Sequence, residues 1–327
     1  MCIRDRNGAQ SLFKALTDAG LDTCFANPGT SEMQLVYEMG RSEEVRPVLC
    51  LQENVVTGAA DGYARMAGKP AFTLLHVGSG FANGIANLHN AGRANTPVVN
   101  VVGANATYHQ PNFPEHELIG GKITDLARSV SHWTREAKSA SELAMLGAEA
   151  ARTAMMGSGR ICTLIAPTNC HWDPAPGAPL IDTAVTTPRV SSDTVAAVVE
   201  RLAGGRRTGI LLGAHALHAE GLELAGKIAA TTGATLLGET FPARMARGEG
   251  AVSVQLVPYF LEMAQQFFAQ FEQIILVGAL PPVSTFAYQG SPTSKVPTGC
   301  EVFTFASPDH DVVAALGDLV SALDAGG

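Results

Sequence analysis

From Asn7 onward the apolar positions alternate between two rhythms. Leu12, Phe13 and Leu16 recur at helical spacing over residues 7–20, and Gly20 stops the pattern. Leu21 to Ala26 is a short apolar run and predicts a strand. Asn27-Pro28-Gly29-Thr30 has turn composition, and Ser31 with Glu32 opens the next helix. The same reading predicts strands at 45–51, 70–76, 96–102, 128–133 and 160–165, with helices at 52–68, 81–92 and 141–155. Val77-Gly78-Ser79-Gly80 reads as a glycine-rich turn. Residues 103–121 form a long polar loop with Tyr108, His109, Pro111 and Pro114, and a loop of that length inside a compact domain is usually functional.

A proline-rich stretch without apolar period separates this region from a second one with the same rhythm. The sequence therefore predicts a first domain at 7–170, a linker at 171–189 and a second domain at 190–327. Met1 to Arg6 has no periodicity and reads as a non-native or disordered start. In the second domain, helices are predicted at 192–203, 216–231, 257–268 and 310–323, and strands at 207–212, 234–238, 272–277 and 300–305. Strands alternating with helices predict an α/β fold: two parallel-sheet domains with helices on both faces and right-handed crossovers. In such sheets ligands bind outside the carboxyl ends of the strands, which directs attention to the turns.

Composition narrows the function classes. The 327 residues carry 22 basic and 30 acidic side chains, net −8, so nucleic acid is not an expected partner. No run of 18 apolar residues predicts a membrane span, and the N-terminus lacks the pattern of a secretory signal. Six cysteines lie scattered with no CxxC, as expected for reduced thiols in a cytoplasmic protein. His215 and His218 lack a carboxylate or cysteine partner in the sequence, and no metal ligands are assigned. Neither a GxSxG elbow nor a P-loop is present.

Candidate chemistry gathers at four strand ends of the first domain: Asn27 to Thr30, Gln52 to Asn54, His76 to Asn83, and the loop with Tyr108 and His109. Glu53 lies between an apolar strand and an Ala-rich helix. Two readings of it stay open. A carboxylate at a helix start is favoured by the dipole and by capping, and this plain reading carries more weight. Partial burial would instead raise its pKa and suit it to proton exchange with a ligand nitrogen. Gly78-Ser79-Gly80-Phe81-Ala82-Asn83 resembles a dinucleotide fingerprint, but Asn83 replaces the third glycine and no acidic residue ends the next strand.

At these residues the chain resembles the pyrimidine-binding domain of thiamine-diphosphate enzymes of the acetolactate synthase and benzoylformate decarboxylase type. The resemblance rests on Phe25-Ala26-Asn27-Pro28-Gly29-Thr30, on Glu53 through Ala59-Ala60-Asp61-Gly62-Tyr63-Ala64-Arg65, on His76 through Asn83-Gly84, and on Arg93-Ala94-Asn95-Thr96-Pro97. The resemblance implies thiamine-diphosphate-dependent conversion of 2-keto acids, by decarboxylation or with carboligation. It implies that Glu53 activates the cofactor's aminopyrimidine, and that His76 faces substrate as an acid or base. Pro28, Gly29, Thr30, Gly80 and Asn83 are the implied cofactor-binding residues. A histidine at position 76 tilts the expected chemistry toward simple decarboxylation.

The second domain resembles the family's central domain, a six-stranded parallel sheet that binds FAD in some members. The family's third domain holds diphosphate and Mg2+ through a GDG motif. Here the Gly317-Asp318 pair lies in a predicted helix, so the chain is expected to lack that domain and the Mg2+ ligands. A second copy of the subunit, in a dimer or tetramer, is the implied partner. The alternative function is a stand-alone nucleotide-binding or regulatory module without catalysis, using Gly213 and Gly238 at strand ends and Arg244 and Arg247 on a polar loop.

Overall fold

The computed structural model describes residues 6–109, 112, 118, 120–175 and 186–324. The chain divides into two compact units, Met1–Thr186 and Thr187–Gly327. The first unit begins with β1 (Arg6–Asn7), α1 (Gly8–Asp18), β2 (Thr23–Asn27), α2 (Met33–Arg41), β3 (Arg46–Leu49), α3 (Glu53–Ala67), β4 (Ala71–Leu75), α4 (Val77–Arg93) and β5 (Val98–Ala104). It continues with α5 (Ile123–Arg128), β6 (Trp133–Glu136), α6 (Ala140–Ala154), β7 (Ile161–Pro167), α7 (Asn169–Trp172) and β8 (Pro174–Ala175). Six strands form one parallel sheet in the order β3-β2-β4-β5-β7-β6.

Strand periodicity sorts the side chains to the two faces. Cys24, Ala26, Phe72, Leu74, Val99, Val101 and Leu164 pack with Leu12 and Leu16 of α1 and Leu143 of α6. The alternate positions Leu75, Val98, Val102 and Ile165 pack on the other face with Val56 and Ala60 of α3 and Phe81 and Leu88 of α4. On that second face a polar line crosses three central strands. Thr73 Oγ1 donates to Asn100 Oδ1 (2.9 Å), and Asn100 Nδ2 donates to Thr163 Oγ1 (3.0 Å). These groups are buried, and each satisfies its neighbour.

The second unit holds α8 (Ser192–Ala203), β9 (Thr208–Leu212), α9 (Ala219–Thr232), β10 (Thr235–Gly238), β11 (Gln255–Leu256), α10 (Leu261–Phe268), β12 (Gln273–Val277), β13 (Glu301–Ala306) and α11 (Val312–Ala322). Its parallel sheet has the order β11-β10-β9-β12-β13. Ile210, Leu212, Ile275 and Val277 face α8, α9 and α11, while Leu211, Leu237, Ile274 and Leu276 face α10. Both units therefore have the expected α/β architecture.

Several local expectations are corrected. Among the described residues the second sheet has five strands rather than six. Val77-Gly78-Ser79-Gly80 is the first turn of α4 and not a separate turn. The Gly80 amide donates to the His76 carbonyl at 2.8 Å, so β4 passes into helix within one residue. Residues 123–128 are helical, because Ile123, Leu126 and Ala127 recur at helical spacing and pack on the sheet; the strand expected at 128–133 lies further on, as β6 at Trp133–Glu136. Arg6 and Asn7 pair antiparallel with Ala175 and Pro174. Residues 171–175, read as linker, thus continue the first unit, and His171 is wholly buried there. Residues 1–5, 176–185, Pro111 and Pro114 lie outside the described residues.

His171 generates a pH prediction. Its Nε2 donates to the Ala166 carbonyl at 2.9 Å, and burial lowers its pKa from 6.5 to about 4. The unfolded chain takes up this proton near pH 6.5, whereas the folded unit resists until about pH 4. Stability is therefore lost as pH falls through that window, by about 3 kcal/mol for this group at 1.36 kcal/mol per pKa unit. Urea unfolding of wild type and His171→Gln across this range measures it: the wild type should lose stability more steeply.

Candidate functional site

The chain leaves β2 for β3 on one side and returns to β4 on the other, so the sheet order reverses at β2. Such a reversal opens a crevice at the carboxyl ends of the strands. Three segments meet there: Asn27 to Glu32 after β2, Gln52 and Glu53 after β3, and His76 to Asn83 after β4. Asn27 Nδ2 donates to the Cys50 carbonyl at 2.9 Å and ties the first two together. Thr168 Oγ1 donates to the carbonyls of Ala104 (2.8 Å) and Ser31 (3.2 Å), fixing the Asn27–Glu32 segment from β7.

Glu53 is half-buried in the first turn of α3. The capping role falls to its neighbour, because Gln52 Oε1 accepts the Asn54 amide at 2.9 Å. Glu53 Oε2 instead accepts a hydrogen bond from Asn83 Nδ2 on α4 (3.1 Å). A Cβ at Gly80 would stand 3.0 Å from Glu53 Oε1 and 3.3 Å from the His76 Cβ. Gly80 thus leaves room beside both candidate catalytic side chains. α3 and α4 approach closely because Gly84 takes Thr57 against its backbone: Thr57 Oγ1 donates to the Gly84 carbonyl at 3.0 Å. Asn87 Nδ2 donates to the Asn54 carbonyl at 2.6 Å and closes the same contact.

His76 ends β4 and precedes Val77, whose φ of 41° is positive. Positive φ is a strained conformation for a β-branched residue, and such strain gathers at functional sites. His76 Nδ1 lies 2.8 Å from Glu32 Oε2, and its ring packs on Gly29 so closely that any Cβ there would collide with it. Pro28, half-buried, and Thr30, exposed, flank Gly29 and are placed with it by chain connectivity. The structure therefore gathers Gly29, Glu53, His76, Gly80 and Asn83 in one crevice. The His109 amide donates to Ala106, and its side chain is exposed on the loop.

Glu32 was not singled out from the sequence, which marks it only as the opening of a helix. Its side chain is wholly buried in a 3-10 turn (Thr30–Glu32). Oε2 accepts from the Gly29 amide at 2.7 Å. Burial raises its pKa, and the Gly29 amide, His76 and the Val77 amide partly oppose that shift. A Cβ at Gly103 would overlap Glu32 Oε1, so the glycine at the end of β5 makes the space this carboxyl occupies. The sequence signal was the pairing of a strand-end glycine with an acid seventy-one residues earlier, which no local pattern reveals.

In the second unit, a Cβ at Gly213 would meet the Gly278 carbonyl (2.6 Å) and the Glu239 carboxyl (2.8 Å). At Gly238 it would meet Leu256 and Val254. At both glycines the space a Cβ would take is occupied by neighbouring protein atoms. Among the described residues no group of three or more His, Cys, Asp or Glu side chains could hold a metal ion, so Mg2+ is assigned no ligand here. No helix of the described residues is long and apolar enough to cross a membrane.

Residues 6–126, which include the whole crevice described above, match the family described as thiamine pyrophosphate enzyme, N-terminal TPP binding domain. Thiamine pyrophosphate is thiamine diphosphate. The chain is 43% identical over 318 residues to a Mycobacterium tuberculosis protein named as an acetolactate synthase large subunit, IlvX, covering 96% of this chain and 60% of that one. It is 28% identical over 320 residues to benzoylformate decarboxylase of Pseudomonas aeruginosa, covering 94% and 58%. Among solved structures it shares its fold with a thiamin diphosphate-dependent enzyme of Mycobacterium smegmatis (TM-score 0.84, 24% identity, 97% of this chain and 62% of that one). A thiamine diphosphate-dependent 4-hydroxybenzoylformate decarboxylase of Rhodococcus jostii gives a TM-score of 0.82 at 20% identity. The chain thus spans about 60% of the length of the curated relatives it matches.

The glycine contacts can be tested individually. Gly103→Ala should destabilise the first unit by about 1–3 kcal/mol through overlap with the buried carboxyl, and a double-mutant cycle with Glu32→Ala should show strong coupling. Gly62→Ala, at an uncrowded position in α3, should instead stabilise by roughly 0.4–1 kcal/mol. Denaturant midpoints of the variants check both.

Proposed function

We propose that the first unit supplies the aminopyrimidine side of a thiamine diphosphate site in an enzyme that decarboxylates 2-keto acids. The observation that carries this reading is the Glu53–Asn83–Gly80 group beside His76, within the segment that matches the TPP binding domain. The donor set fits the cofactor: a carboxylate oriented by Asn83, next to a glycine cradle that any side chain would fill. When bound, thiamine diphosphate supplies an electron sink for breaking the bond beside a keto carbonyl.

In this reading each residue has a defined task. Glu53 hydrogen-bonds the aminopyrimidine ring and holds a proton there, with Asn83 fixing its second oxygen. Gly80 and the Pro28-Gly29-Thr30 segment bring backbone close to the ring, where side chains would obstruct it. His76, at the strand end beside Glu53, gives or takes a proton at the substrate. Its presence favours simple decarboxylation over carboligation. Mg2+, FAD and a second subunit remain parts of the wider proposal implied by family resemblance, and none of these tasks depends on them.

Saturation-transfer difference NMR tests the reading on this chain directly, because it detects weak binding. Irradiated protein should transfer magnetisation to the aminopyrimidine protons of thiamine diphosphate, and Glu53→Leu should abolish that transfer. Equal transfer in both proteins, or none in the wild type, would sink the assignment.

A further inference from the structure

The turn after β9 carries two histidines that the proposed function leaves without a task. It lies where the strand order of the second sheet reverses, with β10 on one side of β9 and β12 on the other. His215 sits in a 3-10 turn (Ala214–Leu217), and His218 follows that turn and precedes α9. The two ring centroids are 5.0 Å apart, at an interplanar angle of 49°. His215 is exposed and His218 is half-buried. Neither imidazole makes a hydrogen bond or an ion pair among the described residues. Other histidines of the chain do spend a ring nitrogen: His171 on the Ala166 carbonyl, and His310 on Ser307.

The backbone beneath the pair is held in place. The Ala216 amide donates to the Gly213 carbonyl (3.1 Å), the His218 amide to His215 (3.1 Å) and the Leu222 amide to His218 (2.9 Å). Ala216 and Leu217, between the two histidines, are wholly buried. α9 packs directly on the turn at Gly221, where a Cβ would stand 2.6 Å from the His215 carbonyl oxygen. Ala214 takes a positive φ of 47°, a costly conformation for a residue with a side chain, and such strain gathers at functional sites. Only side-chain torsions are left to settle when a ligand arrives, so little ordering entropy is lost.

A neutral imidazole ligates borderline transition metals, and a proton on the ring nitrogen competes with the metal. Partial desolvation lowers the pKa of both rings. His218 falls from 6.5 to about 4, with the His215 and Arg244 charges acting in the same sense. His215 is lowered against the pull of the Asp311 carboxylate. With metal–nitrogen bonds of about 2.0–2.1 Å and tetrahedral angles, two imidazoles on one ion have ring centres roughly 5 Å apart. The observed separation meets that requirement. We propose that His215 and His218 form an open two-histidine site for a divalent transition-metal ion such as Zn2+, with the remaining coordination positions left to water. Among the described residues no third side chain completes a ligand set, so the site is of the open kind. An ion there ties the end of β9 to the start of α9. The site lies within the second unit and does not rest on the thiamine diphosphate reading.

The test is a Zn2+ titration of the whole chain, stripped with chelator and 15N-labelled at histidine, read by side-chain 1H–15N NMR near neutral pH. One ring nitrogen of His215 and one of His218 should move together and saturate at one ion per chain, before any other histidine responds. His215→Gln and His218→Gln should each abolish the response of the remaining histidine at that Zn2+ concentration, because a single imidazole gives no chelate. If a variant does not fold, the order of response in the wild type decides. Shifts spread over all histidines at the same Zn2+ concentration, an unchanged response in either folded variant, or no shift of this pair at millimolar Zn2+ would overturn the proposal.

Discussion

A carboxyl group buried where parallel strands end is the constraint around which the crevice is organised. Glu32 takes a hydrogen bond from the Gly29 amide in the turn after β2 and lies against His76 after β4, with Gly103 of β5 behind it. Each neighbour is restricted in turn. Gly29 must lack a side chain because the His76 ring occupies that space. Gly103 must lack one because of Oε1. Val77, directly after His76, takes a positive φ. A buried acid, two glycines and one strained residue therefore form a single interdependent unit, and its product is a fixed imidazole.

The rest of the first unit serves to bring this group beside Glu53. The reversal of strand order at β2 opens the crevice, and the polar line Thr73–Asn100–Thr163 spans the central strands below it. Small residues in α3 and α4 let the two helices approach, so that Asn83 of one reaches Glu53 of the other. The second unit uses the same architecture differently. At its strand ends, Gly213 and Gly238 are packed against protein atoms where the first unit's Gly80 borders candidate chemistry.

How much could be read from the sequence follows from the range of each interaction. Alternating strand and helix patterns fix α/β class because periodicity is local, and both parallel sheets follow from it. Glu53, His76, Gly80 and Asn83 fall in segments that follow predicted strands, and the structure brings them together in one crevice. Residues 77–80 read as a turn in the sequence because glycines mark turns, and the Gly80–His76 hydrogen bond shows that the helix has begun. Arg6 and residues 171–175 lack local periodicity, yet they pair across the chain as β1 and β8. Glu32 was hidden for the same reason. Its burial depends on Gly103, and its partner His76 lies forty-four positions away.

The central claim is that ligand chemistry in this chain belongs to the strand-end crevice of the first unit. Amide chemical-shift mapping of the 15N-labelled chain during titration with thiamine diphosphate tests it most directly. The account predicts that the largest shifts fall on Gly29, Glu53, Gly80 and Asn83, around the Glu53–His76 pair. Shifts confined to the second unit around Gly213 and Gly238, or no site-specific shifts at high cofactor concentration, would contradict it.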